Sequence, residues 1–343
     1  MRNPEIFTAE KLFNMLSHLS EGATTCRYDM ETCAKMVPII NEINELKVKQ
    51  NAIILAHSYV APEIIYAVSD FRGDSYGLSK NAMEVECDTI IFSAVKFMGE
   101  TAKILNPSKE VLIPGIDSGC SLADAITGEK IRALKKQYPD HVFMCYINTT
   151  AEVKAECDIC VTSSNVYNIV EKYPSDKIVF VPDYLMGQNV QAEMKRRGVD
   201  KEIVLYKGTC YVHEQYDPEV IEFMRAQHPG LEVVAHPECS PGIAMMSDYV
   251  GSTGQMMDYI KDSDSENILL LTECGLSARL QQEMPEKNFI GSCNMCKYMK
   301  SNTLEDILRV LKTPQDSDRI ILTDELVDKS LTCIKRMFEY AEK

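Results

Sequence analysis

The stretch IILAHSYVAPEIIYAVSDFRGDSY, residues 53–76, decides the fold. It opens with an apolar run the length of a buried β-strand, places Pro62 where a helix can begin, and ends in a serine-bearing turn. Two later stretches repeat this order, VFMCYINTTAEVKAECDICVTSS at residues 142–164 and VVAHPECSPGIAMMSDYVGSTG at residues 233–254. The chain therefore contains three copies of one strand–helix unit.

Three sets of landmark residues recur at nearly the same period. The polar landmarks are His57, Asn148 and His236, 91 and 88 residues apart; the glycines are Gly99, Gly187 and Gly275, 88 and 88 apart; the cysteines are Cys120, Cys210 and Cys296, 90 and 86 apart. Strands that alternate with helices predict βαβ units and parallel sheets. We therefore predict an α/β protein with three similar three-layer αβα domains around a pseudo-threefold axis. Because ligands bind beyond the carboxyl ends of parallel strands, one central site is expected.

The predicted domain boundaries follow the repeat. The first domain covers residues 1–118 and includes N-terminal helices, the second covers 119–206, and the third covers 207–296. The segment TLED at residues 303–306 is typical of a helix start. We expect the C-terminal tail, 297–343, to pack on the first domain.

Composition excludes several functional classes. The 343 residues include 36 Lys and Arg against 51 Asp and Glu, a formal net charge of −15. Nucleic acids and anionic membranes need a basic surface, so neither is an expected partner. Residues 1–20 contain no apolar signal-peptide core, and no apolar run is long enough to span a bilayer. The sequence predicts a soluble, cytoplasmic protein.

The 13 cysteines are many for a cytoplasmic protein. An odd number in a reducing compartment argues against a disulfide framework, so most should be buried as small apolar residues. Cys120, Cys210 and Cys296 follow their landmark glycines by 21, 23 and 21 residues. Three converging thiolates would hold a four-iron cluster and leave one iron open to a substrate. The alternative is a zinc site built from Cys157-x-x-Cys160 and Cys293-x-x-Cys296.

Further candidate site residues lie beside the landmarks. His57 and His236 are expected to face the centre, and Tyr59 and Glu238 lie two residues beyond them. Ser75, Ser163 and Thr253 occupy the matching turns, where hydroxyls and backbone N–H groups bind carboxylate or phosphate. The alternative for each histidine is a structural hydrogen bond, and for each hydroxyl a helix cap.

These motifs together resemble the quinolinate synthase family. The resemblance rests on AHSYVAPE with GDS, GCSLAD, YINTTAEVKA, GTCYVH, HPEC, GST and CKYMK, and runs from about Ile39 to Val310. It implies an enzyme of NAD biosynthesis that condenses iminosuccinate with dihydroxyacetone phosphate to quinolinate, phosphate and water. It also implies one 4Fe–4S cluster per chain, held by Cys120, Cys210 and Cys296, and an aspartate-oxidising enzyme as the source of iminosuccinate.

The resemblance assigns site residues position by position. It implies that His57, Tyr59 and Glu238 are catalytic, and that the substrate-binding residues are His57, Ser75, Tyr146, Ile147, Asn148, Ser163, His236, Pro237, Glu238 and Thr253. Two departures stand out. Ser58 replaces a frequent asparagine, and one extra residue after His57 leaves Ser79 as an alternative to Ser75.

Two rival functions use similar residues. An iron–sulfur hydro-lyase acting on a carboxylic acid would also need an open iron, but not dihydroxyacetone phosphate. A non-catalytic zinc or cluster sensor would need neither His57 nor Glu238. A brown, anaerobically purified protein would exclude zinc alone.

Overall fold

The computed structural model describes residues 3–20, 28–290 and 294–342. Cys26 and Cys293 lie outside the described residues. The chain divides into two compact units, Met1–Ser118 with Glu273–Ile321, and Gly119–Thr272 with Leu322–Lys343. None of the described helices combines the length and the apolar character needed to cross a membrane.

The first unit contains the N-terminal helices and the first strand–helix repeat. Its elements up to Ser118 are α1 (Ala9–Leu16), a 3₁₀ turn (Ser17–Ser20), α2 (Met30–Lys49), β1 (Ala52–His57), α3 (Pro62–Ala67), β2 (Phe71–Gly73), α4 (Ser75–Glu84), β3 (Thr89–Ser93), α5 (Lys96–Leu105) and β4 (Glu110–Leu112).

The second unit contains the helices and strands of one repeat and most of those of another. They are α6 (Ser121–Asp124), α7 (Gly128–Gln137), β5 (Val142–Tyr146), α8 (Ala151–Glu156), β6 (Ile159–Val161), α9 (Val166–Lys172), β7 (Lys177–Val181), α10 (Tyr184–Arg197), β8 (Glu202–Leu205), a 3₁₀ turn (His213–Gln215), α11 (Pro218–Gln227), β9 (Glu232–Ala235), α12 (Pro241–Met246), β10 (Tyr249–Val250), α13 (Thr253–Asp262) and β11 (Asn267–Leu271).

The remaining elements alternate between the two units. The first unit adds α14 (Gly275–Glu283), β12 (Asn288–Ile290), α15 (Lys297–Lys300), α16 (Leu304–Lys312) and a 3₁₀ turn (Asp316–Asp318), and the second unit adds α17 (Asp324–Ala341).

The strands form three four-stranded sheets with one repeated order. The orders are β2-β1-β3-β4, β6-β5-β7-β8 and β10-β9-β11-β12. Strand pairs such as β1 with β3, β5 with β7 and β9 with β11 are parallel. The leading strand β1 is buried along its whole length, as expected for parallel strands that are covered on both faces. The predicted three αβα domains with parallel sheets are confirmed, whereas the pseudo-threefold axis and the boundaries at 118, 206 and 296 stay predictions.

An aspartate fixes the same turn in each repeat. The carboxylates of Asp70, Asp158 and Asp248 each accept a hydrogen bond of 2.8 Å from a backbone N–H of the first strand of their sheet. The backbone N–H of each aspartate in turn donates to the carbonyl oxygen of that same strand residue, again at 2.8 Å. The helix that returns to the sheet is therefore anchored alike three times, which supports the repeat read from the sequence.

The landmark glycines mark close contacts between a helix and the structure beneath it. A Cβ atom added at Gly99 would lie 2.4 Å from Ile113 Cδ1, and one at Gly187 would lie 2.5 Å from Leu205 Cδ2. At Gly275 the nearest backbone atom, the carbonyl oxygen of Tyr59, would be 2.7 Å away. Any side chain at these positions would displace the neighbouring side chain or, at Gly275, the backbone of Tyr59, so the period of 88 residues has a packing cause.

The C-terminal tail does not pack on the first domain as a whole. Helix α16 packs against α2, where Gln50 Nε2 donates to Leu311 O at 2.8 Å. Helix α17 instead packs against α8 and β6 in the second unit, and Arg336 donates to Asp158 O at 2.8 Å. The expectation for residues 297–343 is therefore wrong for its last helix. That helix buries an apolar stripe that includes Val327, Ile334 and Met337.

Candidate active site

Each landmark histidine is fixed by the residue two positions later. His57 ends β1, and the Tyr59 N–H donates to its Nδ1 at 3.2 Å. His236 follows β9, and the Glu238 N–H donates to its Nδ1 at 3.3 Å. Because Nδ1 is the acceptor in this assignment, Nε2 carries the proton and is a donor. The predicted equivalence of the two histidines, and of Tyr59 with Glu238, holds in the local geometry.

Glu238 lies at the centre of a buried polar cluster in the second unit. The Tyr146 hydroxyl donates to Glu238 Oε1 at 2.6 Å, and His213 Nδ1 lies 3.1 Å from Oε2. Burial by itself raises the pKa of this carboxyl group. The charge and hydrogen bond of His213, together with His236 and the Tyr146 hydroxyl, outweigh burial and lower the pKa to about 2. Glu238 is therefore an ionised carboxylate at neutral pH.

His213 connects Glu238 to a predicted cluster ligand. Its Nδ1 lies 3.2 Å from Cys210 Sγ, and its Nε2 lies 3.0 Å from Thr272 Oγ1. Its ring stacks on His236 with centroids 4.7 Å apart. The ligand atoms of Cys210, His213 and Glu238 lie within 4.8 Å of one another. This arrangement couples a carboxylate to a thiol through a single imidazole.

The structure brings Cys120 and Cys210 together within the second unit. Ser121, next to Cys120, donates from Oγ to Thr209 O at 3.2 Å and accepts from the Tyr211 N–H at 3.4 Å. Thr209 and Tyr211 are the two neighbours of Cys210, so both thiols lie on adjoining loops. Burial, followed by the Glu238 carboxylate, raises the pKa of Cys210 well above its usual value. Metal ligation would have to displace this proton.

Exposure separates the predicted cluster ligands from the other described cysteines. Cys120, Cys210 and Cys296 are partly exposed, and the other seven described cysteines outside a disulfide are buried: Cys33, Cys87, Cys145, Cys157, Cys160, Cys239 and Cys333. Cys274 is disulfide-bonded, which the sequence analysis does not predict. Cys160 lies in the buried strand β6, and Cys157 lies two residues before that strand begins. The burial of both side chains agrees with their interpretation as core residues.

A backbone brace precedes each predicted cluster ligand by two residues. Lys96 N donates to Ser118 O at 2.7 Å, Tyr184 N to Gly208 O at 2.8 Å, and Cys274 N to Asn294 O at 3.2 Å. The three acceptors stand two residues before Cys120, Cys210 and Cys296. The N-terminus of a helix, α5, α10 or α14, thus fixes the loop that presents each cysteine.

Other predicted substrate-binding residues lie in loops at strand ends of the second unit. Tyr146 ends β5 and Ile147 follows it, both buried, while Pro237 lies in the loop after β9. Asn148 Oδ1 is buried and has no hydrogen-bond partner among the described residues. Ser163 follows β6, and Thr253 begins α13 behind its N-cap, Ser252. The buried Oδ1 of Asn148 is therefore an acceptor that a polar ligand can satisfy.

In the first unit the structure favours Ser75 over Ser79. Ser75 begins α4 directly after β2, whereas Ser79 lies one turn later and donates to Ser75 O at 2.7 Å. Ser79 is buried inside that helix turn, so Ser75 is the residue at the strand end.

A short chain of contacts joins Tyr59 to Cys296. Lys300 Nζ donates to Tyr59 O at 2.6 Å and lies 3.4 Å from Glu273 Oε1, which accepts from the Cys296 N–H at 3.2 Å. Glu273 is buried, and burial raises its pKa although Lys300 opposes the shift. The carboxyl group of Glu273 and the amine of Lys300 therefore fix the Cys296 loop against the segment that carries Tyr59.

The chain matches a known protein family over most of its length. The family model for Quinolinate synthetase A protein matches residues 41–339. The chain belongs to the quinolinate synthetase A family. Quinolinate synthase 2 of Mesorhizobium japonicum is 43% identical over 298 residues, which cover 87% of this chain and 90% of that protein. Quinolinate synthases of Caulobacter vibrioides (41% over 306 residues, 88% and 82% covered) and Xylella fastidiosa (43% over 273 residues, 80% and 79% covered) are similar.

His213 is a site residue that the repeated sequence pattern does not identify. The positions three residues after the other two predicted ligands are Ala123 and Met299, so the repeat gives no signal there. The signal is the spacing C-x-x-H from Cys210, which brings His213, at the start of the 3₁₀ turn, within 3.2 Å of the Cys210 sulfur. Residues unique to one repeat escape a search for landmarks that all repeats share.

The buried His236 predicts a pH dependence of stability. Burial is the main cause that lowers its pKa to about 3, whereas the unfolded chain has the ordinary value of 6.5. Below that value only the unfolded state takes up the proton, so stability falls as the pH falls. From about pH 7.5 to about pH 5.5 the free energy of unfolding should drop by about 1.4 kcal/mol through this residue. Glu238 adds to the loss only below its unfolded value of 4.5.

Anaerobic denaturant titrations at the two pH values measure this effect. The His236→Gln protein lacks the titrating group and serves as the control. Its loss of stability over the same range should be smaller than that of the wild type by the same amount. Equal losses in the two proteins would mean that folding does not shift the pKa of His236 from its ordinary value.

Proposed function

We propose that the chain condenses iminosuccinate with dihydroxyacetone phosphate to quinolinate, phosphate and water, and thereby supplies the pyridine ring for NAD synthesis. The proposal extends to this chain what the relatives' shared name, quinolinate synthase, says of them. The observation that supports it most directly is the contact chain from Tyr146 through Glu238 and His213 to Cys210. It places an acid–base group beside a predicted cluster ligand.

We further propose that Cys120, Cys210 and Cys296 hold one 4Fe–4S cluster. Their partial exposure, the loop contact between Cys120 and Cys210, and the soft thiol donors fit such a group. When bound, a cluster with three protein thiolates supplies a Lewis-acidic iron with an open coordination position.

The protein groups then have separable tasks. Glu238 is ionised and can accept a proton, while the Tyr146 hydroxyl that donates to it can return one. The Nε2–H groups of His57 and His236 are donors for substrate carbonyl or carboxylate oxygens. Ser75, Ser163, Thr253 and the amide of Asn148 are further groups for binding the carboxylates and the phosphate. Ring closure needs both binding of anions and proton transfer, and this set of residues provides both.

An assay with the two substrates tests the proposal. Anaerobically purified protein with iminosuccinate and dihydroxyacetone phosphate should form quinolinate and release phosphate in equal amounts. Omitting dihydroxyacetone phosphate is the control and should abolish both products. Turnover of a carboxylic acid without the phosphate substrate would instead support a hydro-lyase.

A further inference from the structure

The backbone on both sides of Glu238 is held by one amide group. Asn189 Nδ2 donates to Pro237 O at 2.9 Å and to Cys239 O at 2.8 Å. Both hydrogens of the amide nitrogen are used, one on each neighbour of Glu238. The Asn189 side chain is buried, so water does not replace these bonds readily.

Helix α10, which carries Asn189, is firmly seated. Its N-cap Asp183 accepts from the Met186 N–H at 3.0 Å. At Gly187 the helix lies so close to β8 that an added Cβ would meet Leu205 Cδ2 at 2.5 Å. The amide is therefore presented from a rigid element, as a group that positions a catalytic side chain must be.

The repeat does not account for an asparagine at this position. Two residues after the other landmark glycines stand Thr101 and Ser277. The Thr101 hydroxyl donates to Phe97 O in its own helix, and the Ser277 hydroxyl accepts from Gln281, also in its own helix. Asparagine is a poor residue for a helix interior. Of the three equivalent helices, the one with an asparagine at this position is α10, which contacts the Glu238 loop.

We infer that Asn189 is a positioning residue, which fixes the carboxylate of Glu238 for proton transfer through the carbonyls of Pro237 and Cys239. The inference rests on the proposed function, because it assigns Glu238 a role in that reaction. Without the amide, the loop can shift while the substrate-binding groups on other elements stay in place. Misplacement of a catalytic group by about 1 Å can lower turnover by about 10²-fold.

The test compares two helix variants under anaerobic conditions. Asn189→Leu has a similar volume and removes both donors, and it should lower kcat about 10- to 100-fold with KM changed less than about threefold. Gln191→Leu is the matched control. Gln191 lies on the same helix and donates to Ile203 O at 2.8 Å, so its loss removes a similar bond that does not touch the Glu238 loop. Its kcat should match the wild type.

Further readouts keep the inference open to refutation. Asn189→Ala also removes both donors, without adding an apolar group, so it should lose activity to a similar extent, and it decides the matter if the leucine variant does not fold. Iron content and thermal unfolding show whether each variant is folded and loaded. A folded, loaded Asn189 variant with wild-type kcat, or an equal loss in Gln191→Leu, would overturn the inference. Absence of quinolinate formation by the wild type would refute the proposed function instead.

Discussion

We expect the Cys210→Ala protein to leave anaerobic purification colourless and inactive. The same result is expected for Cys120→Ala and Cys296→Ala, because each would remove one of only three thiolates that hold the cluster. Two anchoring cysteines do not retain a 4Fe–4S cluster that already lacks a fourth protein ligand. Iron and sulfide analysis with visible absorption spectroscopy measures the loss.

The three cysteines share two structural features, their partial exposure and a hydrogen bond to the loop before them. All three are partly exposed, unlike the other described cysteines that are not in a disulfide. Each lies two residues after a loop residue whose carbonyl accepts a hydrogen bond from the N-terminus of a helix. The bare side chain of Cys210 is a neutral thiol, since burial raises its pKa, so its affinity for the cluster should also weaken in acid.

Cys160→Ala is the matched control for this loss. Cys160 is a buried thiol of the second unit whose Sγ lies 3.8 Å from Val161 O, inside β6. Its replacement should leave the brown colour and the iron content unchanged. The Cys293→Ala protein should also retain its cluster, although Cys293 lies outside the described residues. Loss of the cluster in Cys293→Ala with retention in Cys296→Ala would assign the third ligand to Cys293.

The sequence predicts the repeated units well. The residues that mark each unit are required by close packing or by hydrogen bonds to the backbone, so they recur in every copy. Gly99 and Gly187 are glycines since a helix lies against a strand side chain there, and Asp70 and Asp158 anchor equivalent turns. Such positions keep one residue type and one spacing in every copy. The parallel sheets and the strand-end location of the landmark residues follow from them.

Features that break the repeat could not be predicted in the same way. His213 and Asn189 have no counterpart at the equivalent positions, and their roles depend on contacts with the loop around Glu238, which lies far along the chain. The packing of α17 on α8 was likewise not predictable. The apolar stripe of a helix shows that the helix packs on something, but it does not show which part of the chain it packs on. The disulfide of Cys274 also goes beyond what cysteine spacing indicates.

The second large effect concerns the carboxylate at the centre of the site. Glu238→Gln should lower kcat by about 10²-fold or more while the cluster remains fully assembled. Glutamine keeps the shape of the side chain and can still accept from the Tyr146 hydroxyl, whose oxygen lies 2.6 Å from Glu238 Oε1. It cannot take up a proton, and it lacks the negative charge that faces His213 at 3.1 Å. The expected loss is therefore chemical and not steric.

Two comparisons separate proton transfer from mere positioning. Glu222→Gln removes an exposed carboxylate from α11 of the same unit and should leave kcat and iron content unchanged. Glu238→Asp retains a carboxylate on a shorter side chain, so it should recover part of the activity that Glu238→Gln loses. Near-normal turnover in the glutamine variant would mean that Glu238 only orients Tyr146 and His213. The proton would then have to move through one of those two side chains, most directly through the Tyr146 hydroxyl that now donates to Glu238.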